Sequence, residues 1–474
     1  MSERDSNAAL TLEPGQEPQR RAVMDEDDRL RPDFVAHVLD AVEAGDNQTA
    51  RALVEPLHPA DVADLIELAA ADERDGLVSA LAGIVDADVY AELNEHVRET
   101  LIDAMDAAQV ADLAGQLDTD DAVAIIEDLD RHEQQAVLSA MEPDDRAAVE
   151  EALTYPEETA GRLMQRDLIA VPEHWTVGQV IDYLRSSDEL ADDFWEVFVV
   201  SPAHRPIGTC KLSAILRASR TIKVTDIMLD EQTLIPVDLD QEEVALKFQK
   251  YALISAAVVD PSGRLVGMIT VDDVVHIIQE EAGEDVLLLS GAGDGDINEP
   301  VFETYKSRVR WLAANLMTAL VASSIIRLFE DSIERLAVLA VLMPIVAGVG
   351  GNAGTQTLAV TVRAIATNQL TGSNRWRAVG RELRVALMNG LTIALLIGLA
   401  VTLVLGSAQL GAVIAAAMLT NIVIAGFAGV LVPLTMERYG ADPAVASSVF
   451  VTMITDSMGF LAFLGLATWV GLVP

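Results

Sequence analysis

Asp456 is the only acidic residue between Asp442 and the C-terminus, and it stands some thirteen residues into an apolar stretch over residues 443–472. An ionised carboxylate at that depth in lipid costs several kcal/mol unless water, a cation or a basic group faces it. Basic groups are scarce, since no Lys or Arg lies between Arg335 and Arg363 or after Arg438. A bound cation is therefore a better partner than an arginine or a broken helix end. A second polar constellation, Pro344-Ile-Val-Ala-Gly348-Val-Gly-Gly351-Asn352-Ala-Gly354-Thr-Gln356, interrupts another apolar run. Its glycines allow close helix approach and its amides suit a wet pathway, although small-residue packing alone would use the same glycines. No His or Cys occurs after residue 300, which argues against selection of a soft metal.

Such residues need a membrane domain to hold them, and the charge distribution supplies one. Of the 474 residues, those up to 300 carry a formal charge of −45 and the rest +3. That split excludes one uniform globular domain, and the acidic excess excludes nucleic acid as a partner because it repels phosphate. The single cysteine, Cys210, excludes an intrachain disulfide and a multi-cysteine zinc site. Val385 to Met436 runs 52 residues without a charged side chain, too long for one span of a bilayer core about 30 Å thick. A break at Gly406-Ser-Ala-Gln-Leu-Gly411 makes two spans of it, and stretches near 308–328, 335–366 and 443–472 bring the total to five. Pro344 and the glycines after it predict a kinked or locally unwound second span. Lys306, Arg308 and Arg310, and then Arg363, Arg375, Arg377, Arg381 and Arg384, mark cytoplasmic ends. Five spans then place Pro474 outside. The first thirty residues have no apolar core of signal-peptide length, so the N-terminus is expected to stay in the cytoplasm.

The polar half contains two kinds of repeat. His58-Pro-Ala-Asp-Val-Ala-Asp-Leu65 returns as Asp106-Ala-Ala-Gln-Val-Ala-Asp-Leu113, and Asp120-Asp121 as Asp144-Asp145 at an offset of 24. A period near 24 predicts stacked short helical pairs, an all-α superhelical domain over 32–157 behind a disordered tail over 1–31. The second repeat has two apolar β-branched runs, a turn and a capped helix. It occurs as Glu196–Leu212 with Ser213-Ala-Ile-Leu216 and again as Ser255–Val271 with Asp272-Asp-Val-Val275. Leu163-Met164 upstream matches Ile227-Met228. This grammar resembles tandem cystathionine-β-synthase-type (CBS) domains, α/β modules that pack as a pseudo-dimer and often bind adenosine nucleotides or ions. Their bounds are read as 158–225 and 226–285. Isolated His58, His174 and His204 show no ligand spacing, and Phe194-Trp195 beside Asp192-Asp193 reads as module core or a docking patch. No catalytic triad, phosphate loop or paired acid and base occurs, so an enzyme is not expected.

The order of these parts, with the Pro344…Gln356 phrase, Asp442-Pro-Ala…Thr452…Asp456-Ser-Met-Gly459 and Thr159-Ala-Gly-Arg-Leu-Met164, resembles the MgtE family of magnesium channels. The resemblance implies a homodimeric, Mg²⁺-selective channel of the cell (inner) membrane, importing Mg²⁺ and closing when cytosolic Mg²⁺ is high. It implies Asp456 as the selectivity carboxylate, with Asn352, Gly351 and Gly459 shaping the pore. One carboxylate per subunit suits Mg²⁺, which sheds its water shell reluctantly. Mg²⁺ wedged between acidic domains would screen their repulsion and favour a compact state. Candidate sensing groups are Asp272, Asp273, Glu281, Glu284 and Asp285, together with Asp61, Asp64, Asp118, Asp120 and Asp121. The family pattern places ligands at Asp273, Glu281 and Glu284 but prefers a carboxylate where this chain has His276. An ordinary solvated acidic surface would share the composition. ATP at the CBS pair is the further ligand implied. A connecting, or plug, helix is expected over 286–307, ahead of the pore domain at 308–474, with a hinge where Gly291–Gly295 weakens it. Ser447-Ser448-Val449 replaces the family's Ser-Gly-Pro, which straightens the start of the last span. Alternatives are a Co²⁺ or Mn²⁺ transporter of this architecture and a membrane-anchored CBS nucleotide sensor, which would have no use for Asp456.

Overall fold

Short amphipathic segments, each opened by a proline or a capping carboxylate, build the first part of the chain. The computed structural model describes residues 23–186, 190, 194–291, 295, 297–445 and 447–472, and they divide into two units at Val275. Among the described residues the first unit opens with ten helices: α1 (Pro32–Glu43), α2 (Asn47–Val54), α3 (Pro59–Leu68), α4 (Ala71–Ala80), α5 (Ala87–Glu92), α6 (Glu95–Ile102), α7 (Ala107–Ala114), α8 (Thr119–Glu127), α9 (Arg131–Ala140) and α10 (Pro143–Ala152). Starts of α7 and α9 are 24 residues apart, as are those of α8 and α10, so each repeat is a helical pair. Asp106 shows what sets the register. Its carboxylate accepts from the backbone of Ala108 and Gln109 while the Gln109 side chain accepts from Asp106 N, a reciprocal cap worth about 1 kcal/mol. Each helix is too short to be stable alone, and the pairs share one core around Leu65, Ile66, Leu77, Ile125 and Ile126. Residues 1–22 of the expected tail lie outside the described residues. The remainder folds back through a Met24–Leu30 bridge and buries Leu30 in the helical core.

Two three-stranded sheets come next, built to one plan. In the first, β1 (Ala170–Pro172) pairs parallel with β2 (Glu196–Val200), which pairs antiparallel with β3 (Pro206–Lys211). The second repeats this with β4 (Leu234–Pro236), β5 (Ser255–Val259) and β6 (Leu265–Thr270). Even the irregularity is duplicated, at Val199/Val200 and Val258/Val259. Helices α11 (Val177–Ser186), α12 (Leu212–Arg217), α13 (Gln241–Tyr251) and α14 (Val271–Ser290) accompany them.

The modules exchange their lead-in segments. Gln165 bridges to Met268 in β6, and Leu229 bridges to Thr209 in β3. Met164 then lies on Gly267 and Met228 on Gly208, each so close that a Cβ on the glycine would stand 2.7 and 2.8 Å from the sulfur. This reciprocity is the expected pseudo-dimer. Cys210 is buried in the first module, and so is much of Phe194, while Trp195 is exposed; Asp192 and Asp193 lie outside the described residues.

Among the described residues, the second unit holds five helices long and apolar enough to cross a membrane: α15 (Val301–Arg327), α17 (Val338–Ala366), α18 (Arg375–Leu405), α19 (Ala408–Arg438) and α20 (Ser447–Trp469), with a short α16 (Glu330–Arg335) after the first. The break inside the uncharged stretch takes two residues. Gly406 adopts the left-handed region, and Ser407 Oγ accepts from Leu410 N at 3.3 Å to start α19. Contrary to the expected unwinding, α17 is helical through Pro344 and every glycine that follows. Gly350 and Gly354 let neighbours approach, Asn421 at one and Val451 at the other. The last span is likewise one helix from Ser447 on, as the missing Gly-Pro predicts.

The expected hinge in the connecting segment over 286–307 falls where α14 ends at Ser290, and α15 starts only at Val301. Gly291 has φ +69° and Gly295 φ +74°, a conformation that L side chains rarely adopt. Of the remaining hinge residues, 292–294 and Asp296 lie outside the described residues. A Cβ on Gly291 would stand 1.8 Å from Trp311 Nε1, so this joint rejects any side chain. Gly291→Ala is expected to destabilise the second unit by roughly 1–3 kcal/mol, read as a lower melting midpoint in detergent. An unchanged midpoint would mean that Trp311 swings away freely.

Candidate functional site

Asp456 sits on α20, half-buried, and among the described residues no hydrogen bond or ion pair reaches its carboxylate. Arg375 Nη2 donates to both Glu437 oxygens at 2.9 Å, and Arg381 pairs with Glu382. Three residues beyond Asp456, Gly459 is buried against another helix. Asn352 is exposed on α17, and a Cβ on Gly351 would meet nothing within 4 Å, so these two line an open face of the isolated chain. Of the four pore residues read from sequence, Gly459 is packed into the bundle and the other three remain accessible to water or a partner. Thr455 is fully buried and its hydroxyl donates to Thr452 O at 3.0 Å.

One residue that sequence reasoning missed sits between them. Asn421 of α19 has no exposed surface; its Nδ2 donates to Val346 O at 2.9 Å, and Gly350 and Gly459 both lie against its amide. The available signal was an amide in the middle of 52 residues without charge. Side-chain type alone gave no way to distinguish a buried amide from a lipid-facing or pore-lining one.

Near its end, α14 carries Leu288 and Leu289 against Leu358, Val362, Ala428, Ala444 and Val451. Asp442 Oδ1 accepts from Ala444 N at 2.7 Å and shapes the turn leading to α20. Glu281 and Glu284 lie on α14 in this second unit, and the side chain of Asp285 lies outside the described residues.

In the first unit, acidic residues far apart in sequence converge. Asp118, Asp120 and Asp121 open α8, a position where a helix dipole welcomes negative charge. Asp273 opens α14, held by Thr270 Oγ1 at 2.6 Å and Gln165 Nε2 at 3.3 Å. Burial, then the repulsion of Asp273 and Asp118, pushes the Asp121 carboxyl up to about 6. Burial also raises Asp273 to about 6, with Asp272 and Asp118 adding to it against the Thr270 hydrogen bond. Asp120 is raised well above its ordinary range by burial and by Asp273, and its Oδ1 is enclosed without a hydrogen-bond partner among the described residues. Asp118 is raised by burial, then by Asp167 and Asp272. Asp64 is raised by burial, then by Asp61 and Glu92, and Glu92 acts on Asp121 as well. Yet no three acidic, His or Cys side chains among the described residues form a ready metal cage. Carboxylates gathered this loosely suit an ion that keeps its water.

These raised values have a pH consequence. A carboxyl whose folded pKa exceeds its unfolded value stabilises the fold at low pH, and that contribution is lost as pH rises through the folded value. Between 3.8 and about 6, Asp121 and Asp273 lie in that window. Without divalent ions, melting of the first unit is expected to rise by several degrees from pH 7 to pH 5, on the order of 2 kcal/mol for the interacting pair.

Five membrane-length helices with a lone carboxylate, behind a helical-repeat domain and a paired CBS module, define a multi-pass cation transporter with an intracellular domain, not an enzyme. Family comparison agrees along the chain. The profile described as a divalent cation transporter, MgtE, matches residues 343–466, that of the MgtE intracellular N domain 57–158, and that of a CBS domain 224–280. The magnesium transporter MgtE of Thermus thermophilus is 33% identical over 319 residues, covering 66% of this chain and 70% of the relative. That of Enterococcus faecalis is 30% identical over 316 residues, covering 67% and 70%. A crystal structure of the cytosolic domain of the Mg²⁺ channel MgtE in complex with ATP aligns with TM-score 0.48 and 28% identity over 51% of this chain and 99% of that one. The chain belongs to the MgtE family.

Proposed function

We propose that this protein carries Mg²⁺ into the cell along a path beside Asp456, and that its acidic intracellular half closes the path when Mg²⁺ is plentiful. Asp456 carries the proposal: a half-buried carboxylate on a membrane-length helix with no described protein partner. Two relatives of at least 30% identity are named magnesium transporters, which supports Mg²⁺ as the cargo. The membrane unit has no His or Cys to favour a softer ion such as Co²⁺. One carboxylate per chain leaves a hydrated ion short of negative charge, so a second chain supplying its own Asp456 at a two-fold axis completes the site. The exposed faces holding Asn352 and Gly351 are where that copy would meet it.

Topology follows from the charges at the helix ends. Lys306, Arg308 and Arg310 on α15, Arg363 on α17, Arg375 and Arg377 on α18 and Arg438 on α19 belong to the cytoplasmic side. The Arg375–Glu437 pair joins α18 and α19 on that side, and the uncharged Gly406–Ser407 turn faces out. The end of α20 then lies outside; Pro474 is outside the described residues. Leu288 and Leu289 of α14 cover the cytoplasmic ends of α17 and α20 and are the stopper of the closed state. Sensing lies with Asp118, Asp120, Asp121, Asp272 and Asp273, assisted by Asp61 and Asp64. Glu281, Glu284 and Asp285 serve a second ion along α14. An adenosine nucleotide such as ATP at the CBS pair remains the further ligand of this reading.

Full-length protein in vesicles loaded with a divalent-sensitive dye tests the cargo. Mg²⁺ influx is expected to exceed Co²⁺ and Mn²⁺ influx under the same gradient and to fall as Mg²⁺ is raised on the cytoplasmic face. Faster Co²⁺ or Mn²⁺ entry would favour the alternative transporter, and no ion entry at all would leave a membrane-anchored sensor.

A further inference from the structure

The pore residues read from sequence lie on two helices, α17 and α20, and one side chain from a third helix touches both. Asn421 of α19 is fully buried and donates to Val346 O of α17 at 2.9 Å. A methyl at Gly350 of α17 would stand 2.0 Å from its Nδ2, and one at Gly459 of α20 2.6 Å. The Asn421 Oδ1 is enclosed and has no hydrogen-bond partner among the described residues. Burying an unpaired oxygen is costly, and an apolar side chain of similar size would avoid that cost. Stability therefore does not explain this amide. A hydrogen bond to one backbone carbonyl does what apolar packing does poorly, since it fixes both the height and the rotation of one helix against another.

Gly459 follows Asp456 by three residues, less than one helical turn. Whatever sets the approach of Gly459 sets the direction of the Asp456 carboxylate. We propose that Asn421 is a positioning residue for ion selection: anchored on Val346 and flanked by Gly350 and Gly459, its amide holds α20 against α17 so that Asp456 meets the hydrated ion at a fixed place. The proposal rests on Asp456 as the pore carboxylate. Asn421 touches no ion, and its effect passes through the helix geometry alone.

The test uses the full-length protein in vesicles, with flux normalised to the folded fraction from size-exclusion chromatography. The readout is the ratio of Mg²⁺ to Ca²⁺ entry. Asn421→Ala and Gly459→Ala are each expected to lower that ratio about fivefold or more, because selectivity depends on how fixed oxygens meet the hydrated ion. In Asn421→Ala/Gly459→Ala the added methyl occupies the vacated space, and the ratio is expected to recover to within about twofold of wild type. A merely structural amide would reduce folded protein and leave the ratio alone, so an unchanged ratio in folded Asn421→Ala overturns the proposal. Should that variant not fold, Asn421→Ser and Gly459→Ala are held to the same threshold. Asp456→Ala is measured alongside: normal flux there defeats the pore assignment and this proposal with it. A silent Asp456→Ala beside an unchanged Asn421→Ala ratio defeats the positioning role only.

Discussion

Replacing Asp456 by alanine is expected to cut Mg²⁺ entry at least tenfold while leaving the protein folded in the membrane. The magnitude follows from Coulomb's law. A carboxylate about 6 Å from a divalent ion, the reach across one water layer, contributes roughly 1.4 kcal/mol in bulk water and about 5.5 kcal/mol at an effective dielectric constant near 20. The half-buried side chain lies between these limits, so tenfold is the lower bound. Folding should survive, because no described hydrogen bond or ion pair is lost with the carboxylate and an uncharged residue is easier to keep in lipid. Asp456→Glu keeps the charge but moves it outward by one methylene, and an intermediate rate is expected. Dye-loaded vesicles with each variant provide the measurement. Equal uptake by wild type and Asp456→Ala would show that the ion travels elsewhere.

The second large effect concerns the acidic cluster of the first unit. Asp120, Asp121 and Asp273 repel one another in partly buried surroundings, and a Mg²⁺ ion among them would remove that penalty. In the full-length protein, Mg²⁺ is expected to slow amide hydrogen exchange over α8 and the first turns of α14 by roughly tenfold or more, the effect of about 1.4 kcal/mol. Asp121→Asn/Asp273→Asn removes both the repulsion and the ligands. Exchange in that variant should be slow already without Mg²⁺ and respond little to its addition. Its channel should then close less sharply as Mg²⁺ rises. Retention of the full Mg²⁺ response would place the sensor elsewhere, Glu281 and Glu284 being next in line.

Much of this organisation is written in local patterns. A 24-residue period, a duplicated strand grammar, an uncharged run too long for one span and a solitary carboxylate are all properties of short windows of sequence, and each has its counterpart among the elements. Local patterns went astray where two physical roles share one residue type. Glycines and Pro344 in α17 suggested a kinked or locally unwound helix, yet the backbone is helical throughout, and Gly350 and Gly354 serve close packing. The hinge expected at Gly291–Gly295 was legible, by contrast, although the sequence did not show that Trp311 leaves no room there for a side chain.

Sequence alone thus determined which elements form, because helix caps, strand alternation and span length depend on neighbours along the chain. Tertiary structure decided which of their polar groups are buried together. Asp118, Asp120 and Asp121 are indistinguishable in sequence from an ordinary acidic helix start until Asp273 arrives opposite them. Asn421 is one amide among several until Val346, Gly350 and Gly459 enclose it. Electrostatic cost and helix register depend on distance in space, and only the folded chain sets that distance.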